Sequence, residues 1–154
     1  MTLEQDRRRF TEDVSRVFEA MGFPPMAGRV WAALLVSDQP QLSAADLQEQ
    51  IGASGGSIST ALATLNQVGI IERVWVPGDR RSYYATPTSA LDRLLQRRAE
   101  ALTLMVQLAE RGVETFSEVE LAAERLTYLR DLYAWFDREY DILLERWRDE
   151  QQKP

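Results

Sequence analysis

"LSAADLQEQIGASGGSISTALATLNQVG", residues 42–69, decides how the rest of the chain is read. Ser43-x-x-Asp46 has the form of a capping box, in which a hydroxyl and an acid three residues on satisfy orphan helix N–H groups. A short helix is therefore expected near 44–51, closed by Gly52. A second helix is expected near 55–67, ended by Gly69. Two helices joined by a tight, Gly-containing turn have the proportions of a helix-turn-helix. On the second helix Ile58, Leu62 and Leu65 recur at i, i+4 and i+7, so one stripe faces a core. At 100° per residue Gly56, Thr60, Ala63 and Gln67 lie opposite, flanked by Ser57, Ser59 and Thr64.

That outward face is unusual for this chain. Ser and Thr are mediocre helix formers, and an ordinary solvated face would favour Glu, Lys and Arg. Yet no charge occurs between Ala53 and Ile71 in a sequence that is 27% charged. Small hydroxyl side chains let a helix approach the major groove closely and bond to phosphates or base edges. The N–H groups near Ser54 to Ser57 add a phosphate site at the helix start. Ser54, Ser57, Ser59, Thr60, Thr64 and Gln67 are thus the candidate DNA-reading residues.

The next stretch, "IERVWVPGDRRSYYAT" at 71–86, reads as two strands, near 70–76 and 81–86, around the turn Pro77-Gly78-Asp79-Arg80. Placed after the two helices, it completes the order of a winged helix-turn-helix. With the second helix in the groove, the hairpin falls on the neighbouring backbone or minor groove. There Arg80 and Arg81 meet phosphates or the negative potential of a narrow groove. Asp79 orients one of them or caps the turn, and Arg73 adds a phosphate contact. Charged residues blunting an exposed hairpin edge are the plainer alternative.

Charge is distributed in support of this. The whole chain carries −6. Residues 1–53 hold 5 Arg against 8 acids, a net −3, and residues 99–154 hold 7 bases against 13 acids, a net −6. Residues 54–98 hold 6 Arg against 3 acids, a net +3. A polyanion responds to the potential within a Debye length of about 8–10 Å, so a basic island functions inside an acidic protein.

The chain has neither Cys nor His. Disulfides, thiolate catalysis, a Ser-His-Asp triad and the usual zinc sites are excluded. The acids are spread along helical faces rather than gathered at Gly-rich turns, so no enzyme, metal or cofactor is expected. No apolar run approaches the roughly 20 residues of a membrane span, and MTLEQDRRRF is not a secretory signal. A cytoplasmic protein without membrane partners is the expectation.

The flanks read as helices. One is expected near 3–21 behind a Thr2-x-x-Gln5 box, another near 26–37, a fifth near 89–111 behind Ser89-x-x-Asp92 and stopping at Gly112. The last is expected near 118–149 behind Ser117-x-x-Glu120. In it Val119, Ala122, Leu126, Leu129, Tyr133, Phe136, Tyr140, Leu143 and Trp147 alternate steps of 3 and 4, a heptad seam. A second stripe, Leu121, Tyr128, Leu132, Trp135 and Ile142, lies on another face. Two apolar faces call for two partners, the chain's own helices and a second subunit. Helix-turn-helix dimers must hold their reading helices roughly 34–36 Å apart, and long terminal helices are suitable spacers. The expected organisation is 1–22 as an N-terminal helix contributing to dimerisation, 23–88 as the winged helix-turn-helix and 89–154 as the dimerisation region. The fold is mainly α with a small antiparallel β-hairpin wing.

Residues 26–84 resemble the GbsR branch of the MarR-type bacterial regulators. Met26-Ala27-Gly28-Arg29, Gly56-Ser57-Ile58-Ser59-Thr60 and Gly78-Asp79-Arg80-Arg81-Ser82-Tyr83-Tyr84 carry the likeness. Within that branch the chain is similar to actinobacterial repressors of MmpL-class exporters. The resemblance implies a homodimeric repressor that binds a palindromic double-stranded operator at its own promoter and at a neighbouring transporter or stress gene. It places Ser57, Ser59, Thr60 and Thr64 at groove-facing positions and Asp79, Arg80 and Arg81 at the wing tip. The chain departs from the pattern at Gly55 and Gly56, where relatives often carry Arg. The resemblance also implies a cavity for a small apolar or amphipathic effector, for which Phe18, Met21, Phe23, Trp31, Met105, Leu108 and Phe116 are candidate lining. The competing reading is a winged-helix protein-interaction module without DNA binding.

Overall fold

The protein is described here from a computed structural model covering residues 2–153. The elements run α1 (Leu3–Ala20), α2 (Pro25–Leu35), β1 (Leu42–Ser43), α3 (Ala44–Ile51), α4 (Gly55–Val68), β2 (Glu72–Val74), β3 (Tyr83–Ala85), α5 (Thr88–Thr115) and α6 (Glu120–Gln151). Contacts divide the chain into two compact units, Met1–Leu94 and Leu95–Pro154. Among the described residues no helix is long and apolar enough to cross a membrane.

Local chemistry accounts for most boundaries. Thr2 and Gln5 form a reciprocal capping box on α1, and Ser43 and Asp46 form another on α3. Gly52 and Gly69 end α3 and α4 in the left-handed region, at φ 69° and 89°, which costs a residue without Cβ nothing.

Two expected boxes do not form. Ser89 lies inside α5, which already begins at Thr88. Ser117 Oγ donates instead to the Glu114 carbonyl at 3.2 Å, and α6 starts behind Val119 with no side-chain cap. The unpaired carbonyls at the end of α5 compete for that hydroxyl and win. Nor does α5 stop at Gly112. It runs on to Thr115, because Gly112 serves close packing rather than termination. A Cβ there would sit 3.0 Å from Leu126 Cδ2 of α6.

The wing is a three-stranded antiparallel sheet of order β1-β3-β2, not a lone hairpin. Leu42 pairs with Tyr84 and Ser43 with Tyr83, so Ser43 closes a sheet and caps a helix at once. Glu72, Arg73 and Val74 pair with Ala85, Tyr84 and Tyr83. The strands are shorter than expected, and the turn closes one residue early, from Asp79 N to Val76 O at 3.1 Å. Pro77 and Gly78 occupy its centre, with Gly78 at φ 82°, the pattern of a type II turn.

The first unit is built around Val30 and Leu34 of α2, Leu47 of α3 and Ile58, Leu62 and Leu65 of α4, with Leu42, Ile70 and Ile71 closing the wing side. Phe18 brings α1 onto this core. At the crossing of α1 and α2, a Cβ on Gly28 would meet Ser15 Cα at 2.8 Å and Val14 O at 3.0 Å. Ser15 Oγ donates to the Pro25 carbonyl at 3.0 Å, which satisfies the buried hydroxyl. Gly28→Ala is therefore expected to cost about 1–3 kcal/mol through overpacking against backbone, lowering Tm by about 2–4 °C per kcal/mol. Gly56→Ala, whose Cβ would meet nothing within 4 Å, is expected to hold or raise Tm through helix propensity. Thermal unfolding of both variants checks this, and equal Tm values for Gly28→Ala and the parent would contradict the tight crossing.

Candidate nucleic-acid interface

Burial of Ile58, Ala61, Leu62 and Leu65 turns the opposite face of α4 outward, where Gly56, Ser57, Ser59, Thr60, Ala63 and Gln67 are exposed. The hydroxyls are not equivalent. Ser54 is the helix cap: its Oγ accepts from Ser57 N at 3.3 Å and donates to Ser57 Oγ at 3.0 Å. Ser57 keeps its own O–H proton for an outside acceptor. Half-buried Thr64 donates back to the Thr60 carbonyl at 3.1 Å, so its hydroxyl proton is committed within the helix. Ser59, Thr60 and Gln67 have side chains uncommitted among the described contacts.

At the wing tip the two adjacent arginines do different work. The Asp79 carboxylate accepts from the Arg81 backbone N at 2.9 Å, from Arg81 Nη2 at 2.7 Å and from Tyr83 Oη–H at 2.8 Å. The Arg81 guanidinium also lies over the Tyr83 ring, 5.1 Å from its centroid, a cation–π contact. This clasp stiffens the turn and consumes Arg81. Hydrogen bonds from Arg81, then from Tyr83, hold the Asp79 carboxyl well below the usual carboxylate range. The Tyr83 phenol is pushed up, first by its bond to Asp79 and then by desolvation. Arg80 is exposed and makes no hydrogen bond or ion pair among the described residues.

Similar neutralisation recurs nearby. Glu72 pairs with Arg93, so two of the three acids in the basic island are compensated internally. Arg73 Nη2 donates to Ser82 Oγ at 2.5 Å and has no carboxylate partner among the described residues. Arg73, Trp75, Asp79, Arg80, Arg81 and Ser82 border an open concavity of about 530 Å³. The base of the wing is tied to the helical core by a relay: Trp31 Nε1 donates to Thr86 Oγ1 at 3.1 Å, and Thr86 Oγ1 donates to the Ile70 carbonyl at 2.9 Å.

Trp31 is thus a structural fastener as well as an effector candidate. Its ring lies 5.5 Å from Phe18, which lies 5.7 Å from Phe23. These three candidates form one packed aromatic group in the first unit, while Met21 is exposed at the end of α1. In the second unit Met105 is half-buried and Leu108 and Phe116 are exposed. Sequence reasoning missed the part of Tyr83 in the clasp and the Trp31–Thr86 link. The first had a signal, an acid and a tyrosine on either side of a basic turn. The second joins residues 55 apart and had none.

Residues 89–150 match the family model described as MmpR5-like MarR family transcriptional regulator. The chain is 32% identical over 148 residues to the HTH-type transcriptional regulator MmpR5 of Mycobacterium tuberculosis (strain ATCC 25618 / H37Rv), covering 96% of this chain and 90% of that protein. The chain belongs to the MarR family of transcriptional regulators. A solved structure titled "Crystal Structure of a transcriptional regulator" is similar throughout, with a TM-score of 0.81 and 32% identity across 94% of this chain and 99% of the other. The MarR-type reading drawn from the motifs therefore stands, and the match is to the MmpR5-like group without a GbsR assignment. Membership makes the chain a regulator rather than an enzyme.

The clasp sets the pH behaviour of the MarR-type wing. The contribution of Asp79, whose folded pKa is depressed, is complete above the ordinary carboxylate range and is lost only as pH falls through the depressed value. The contribution of Tyr83, whose folded pKa is raised, is complete below the ordinary phenol range and is lost as pH rises through the elevated one. The clasp therefore holds throughout the neutral range. In Asp79→Ala the Tyr83 phenol is expected to ionise at lower pH than in the parent, visible as earlier tyrosinate absorbance. Superimposable titrations would contradict the Asp79–Tyr83 bond.

Proposed function

We propose that this MarR-family chain is a homodimeric, ligand-responsive repressor that lays α4 in the major groove and the wing on the adjoining backbone or minor groove. The observation carrying this reading is the arrangement around Arg80. An unpaired guanidinium projects from a turn rigidified by the Asp79–Arg81–Tyr83 clasp, while α4 offers an uncharged face. Ser57, Ser59, Thr60, Thr64 and Gln67 read or approach base edges, and Ser54 presents the helix N-terminus. Arg80 and Arg73 meet phosphates, with Asp79 and Arg81 shaping the tip.

In the dimer, α6 and α1 supply the interface. Of the heptad seam, Leu126 packs beside Gly112 within the chain. Leu129, Tyr133 and Tyr140 are half-buried and Val119, Phe136 and Leu143 exposed. The second stripe is barer: Leu121, Tyr128, Leu132, Trp135 and Ile142 are all exposed. On α1 the exposed Leu3, Phe10 and Val17 follow one another at seven-residue spacing. The expected targets are the chain's own operon and a neighbouring transporter or stress gene. The same reading includes a small apolar or amphipathic effector.

Titration of duplex from the chain's own upstream region over a salt series tests this reading. Arg80→Ala is expected to weaken binding and to reduce the log–log salt slope by about two per dimer, one for each lost phosphate contact. Gly56→Arg, placed in open space at the start of α4, is expected to tighten binding and steepen the slope by a similar amount. Absence of binding at low salt would refute the DNA-binding reading. Tyr128→Glu combined with Leu132→Glu is expected to yield folded monomers in sedimentation, and persistent dimers would place the interface on other residues.

A further inference from the structure

The clasped wing carries one residue that neither the fold nor the charge pattern requires. Trp75 follows directly on β2 and is 74% exposed, more than any other large apolar side chain among the described residues. An indole left in water forgoes a large apolar burial, and tryptophan is concentrated at binding surfaces for that reason. Its neighbours show which surface. Arg73 and Trp75 are exposed while Val74 between them is half-buried, so they share one face of the extended chain. Both border the same open concavity as Arg80. The free cations Arg73 and Arg80 thus bracket an apolar plate, in a segment where the acids Glu72 and Asp79 are already paired.

We propose that Trp75 is an additional DNA contact. Its indole lies against the deoxyribose edge of the duplex flanking the groove read by α4, while Arg73 and Arg80 hold the phosphates on either side. This rests on the DNA-binding reading above and adds an uncharged component to it. Duplex DNA is the occupant favoured by the charge of the surroundings, since an acidic polymer meets both guanidinium groups and presents apolar sugar faces between its phosphates. An uncharged contact releases no counterions, so its loss lowers affinity without changing the salt slope.

The test uses the full chain and the duplex it binds from its own upstream region. Trp75→Ala is expected to weaken binding roughly tenfold at every salt concentration with the slope unchanged, whereas Arg80→Ala flattens the slope. Trp75→Phe should recover most of the loss. Acrylamide quenching of tryptophan fluorescence should fall when duplex is added to the parent, and far less in Trp75→Phe. Parental affinity in Trp75→Ala, or equal quenching changes in the two proteins, overturns the assignment while leaving the DNA-binding reading intact. If the parent ignores the duplex at low salt, both readings fall together. If Trp75→Ala instead changes the sedimentation of the free protein, the indole is covered by a second copy and the assignment is overturned.

Discussion

The apolar stripe of α4 constrains everything around it. Ile58, Ala61, Leu62 and Leu65 are at most 3% exposed, and each large member contributes about 1.5–3 kcal/mol by leaving water. A helix has one rotational setting that satisfies such a stripe. Once it is satisfied, the small uncharged residues on the far side must face out, whatever they do there. The same burial places the cap at Ser54 on the surface, because the turn from Gly52 leads directly from the core helix α3 into α4. The small, uncharged outward face of α4 is thus a consequence of core packing.

The wing obeys a different constraint. A turn inside the connection of residues 75–82 between two three-residue strands has little hydrophobic area to hold it, so polar contacts define its shape. Asp79 collects the Arg81 guanidinium, the Arg81 amide and the Tyr83 hydroxyl. These exposed bonds add little to stability, but together they fix the direction of the tip. One of the two adjacent arginines is used to orient the other. At its base the wing is fixed by the Trp31–Thr86–Ile70 relay, which connects α2 to both ends of the β2–β3 segment. A MarR-type regulator thereby keeps its charged tip in register with α4 despite the small size of the sheet.

Where sequence and structure part, competition for a shared group explains the difference. Gly112 was expected to end a helix because glycine usually marks a C-cap, yet it lies inside α5, where a Cβ would crowd the Leu126 methyl groups at 3.0–3.2 Å. Ser117 and Glu120 have capping-box spacing, but the hydroxyl is taken by the Glu114 carbonyl behind it. Strand β1 was hidden because Ser43 already had a local explanation as the cap of α3. In each case the local pattern was real and a neighbour outside its window decided the outcome. Thr2, Ser43, Gly52 and Gly69 face no such competitor and behave as their sequence context implies.

The order of elements apart from β1, the buried and outward faces of α4 and the basic turn to within one residue were determined by sequence alone, since hydrophobic period, capping chemistry and turn residues act over a few positions. Contacts two to four residues apart leave Arg80 free and commit the Thr64 hydroxyl to its own helix. Tertiary structure alone decided which side chains fasten the wing and where a glycine packs instead of ending a helix. Those outcomes depend on groups such as Trp31 and Thr86, or Gly112 and Leu126, that meet only after the chain has folded. A hydrogen bond or a steric contact is set by distance in space, and spacing along the chain carries no record of it.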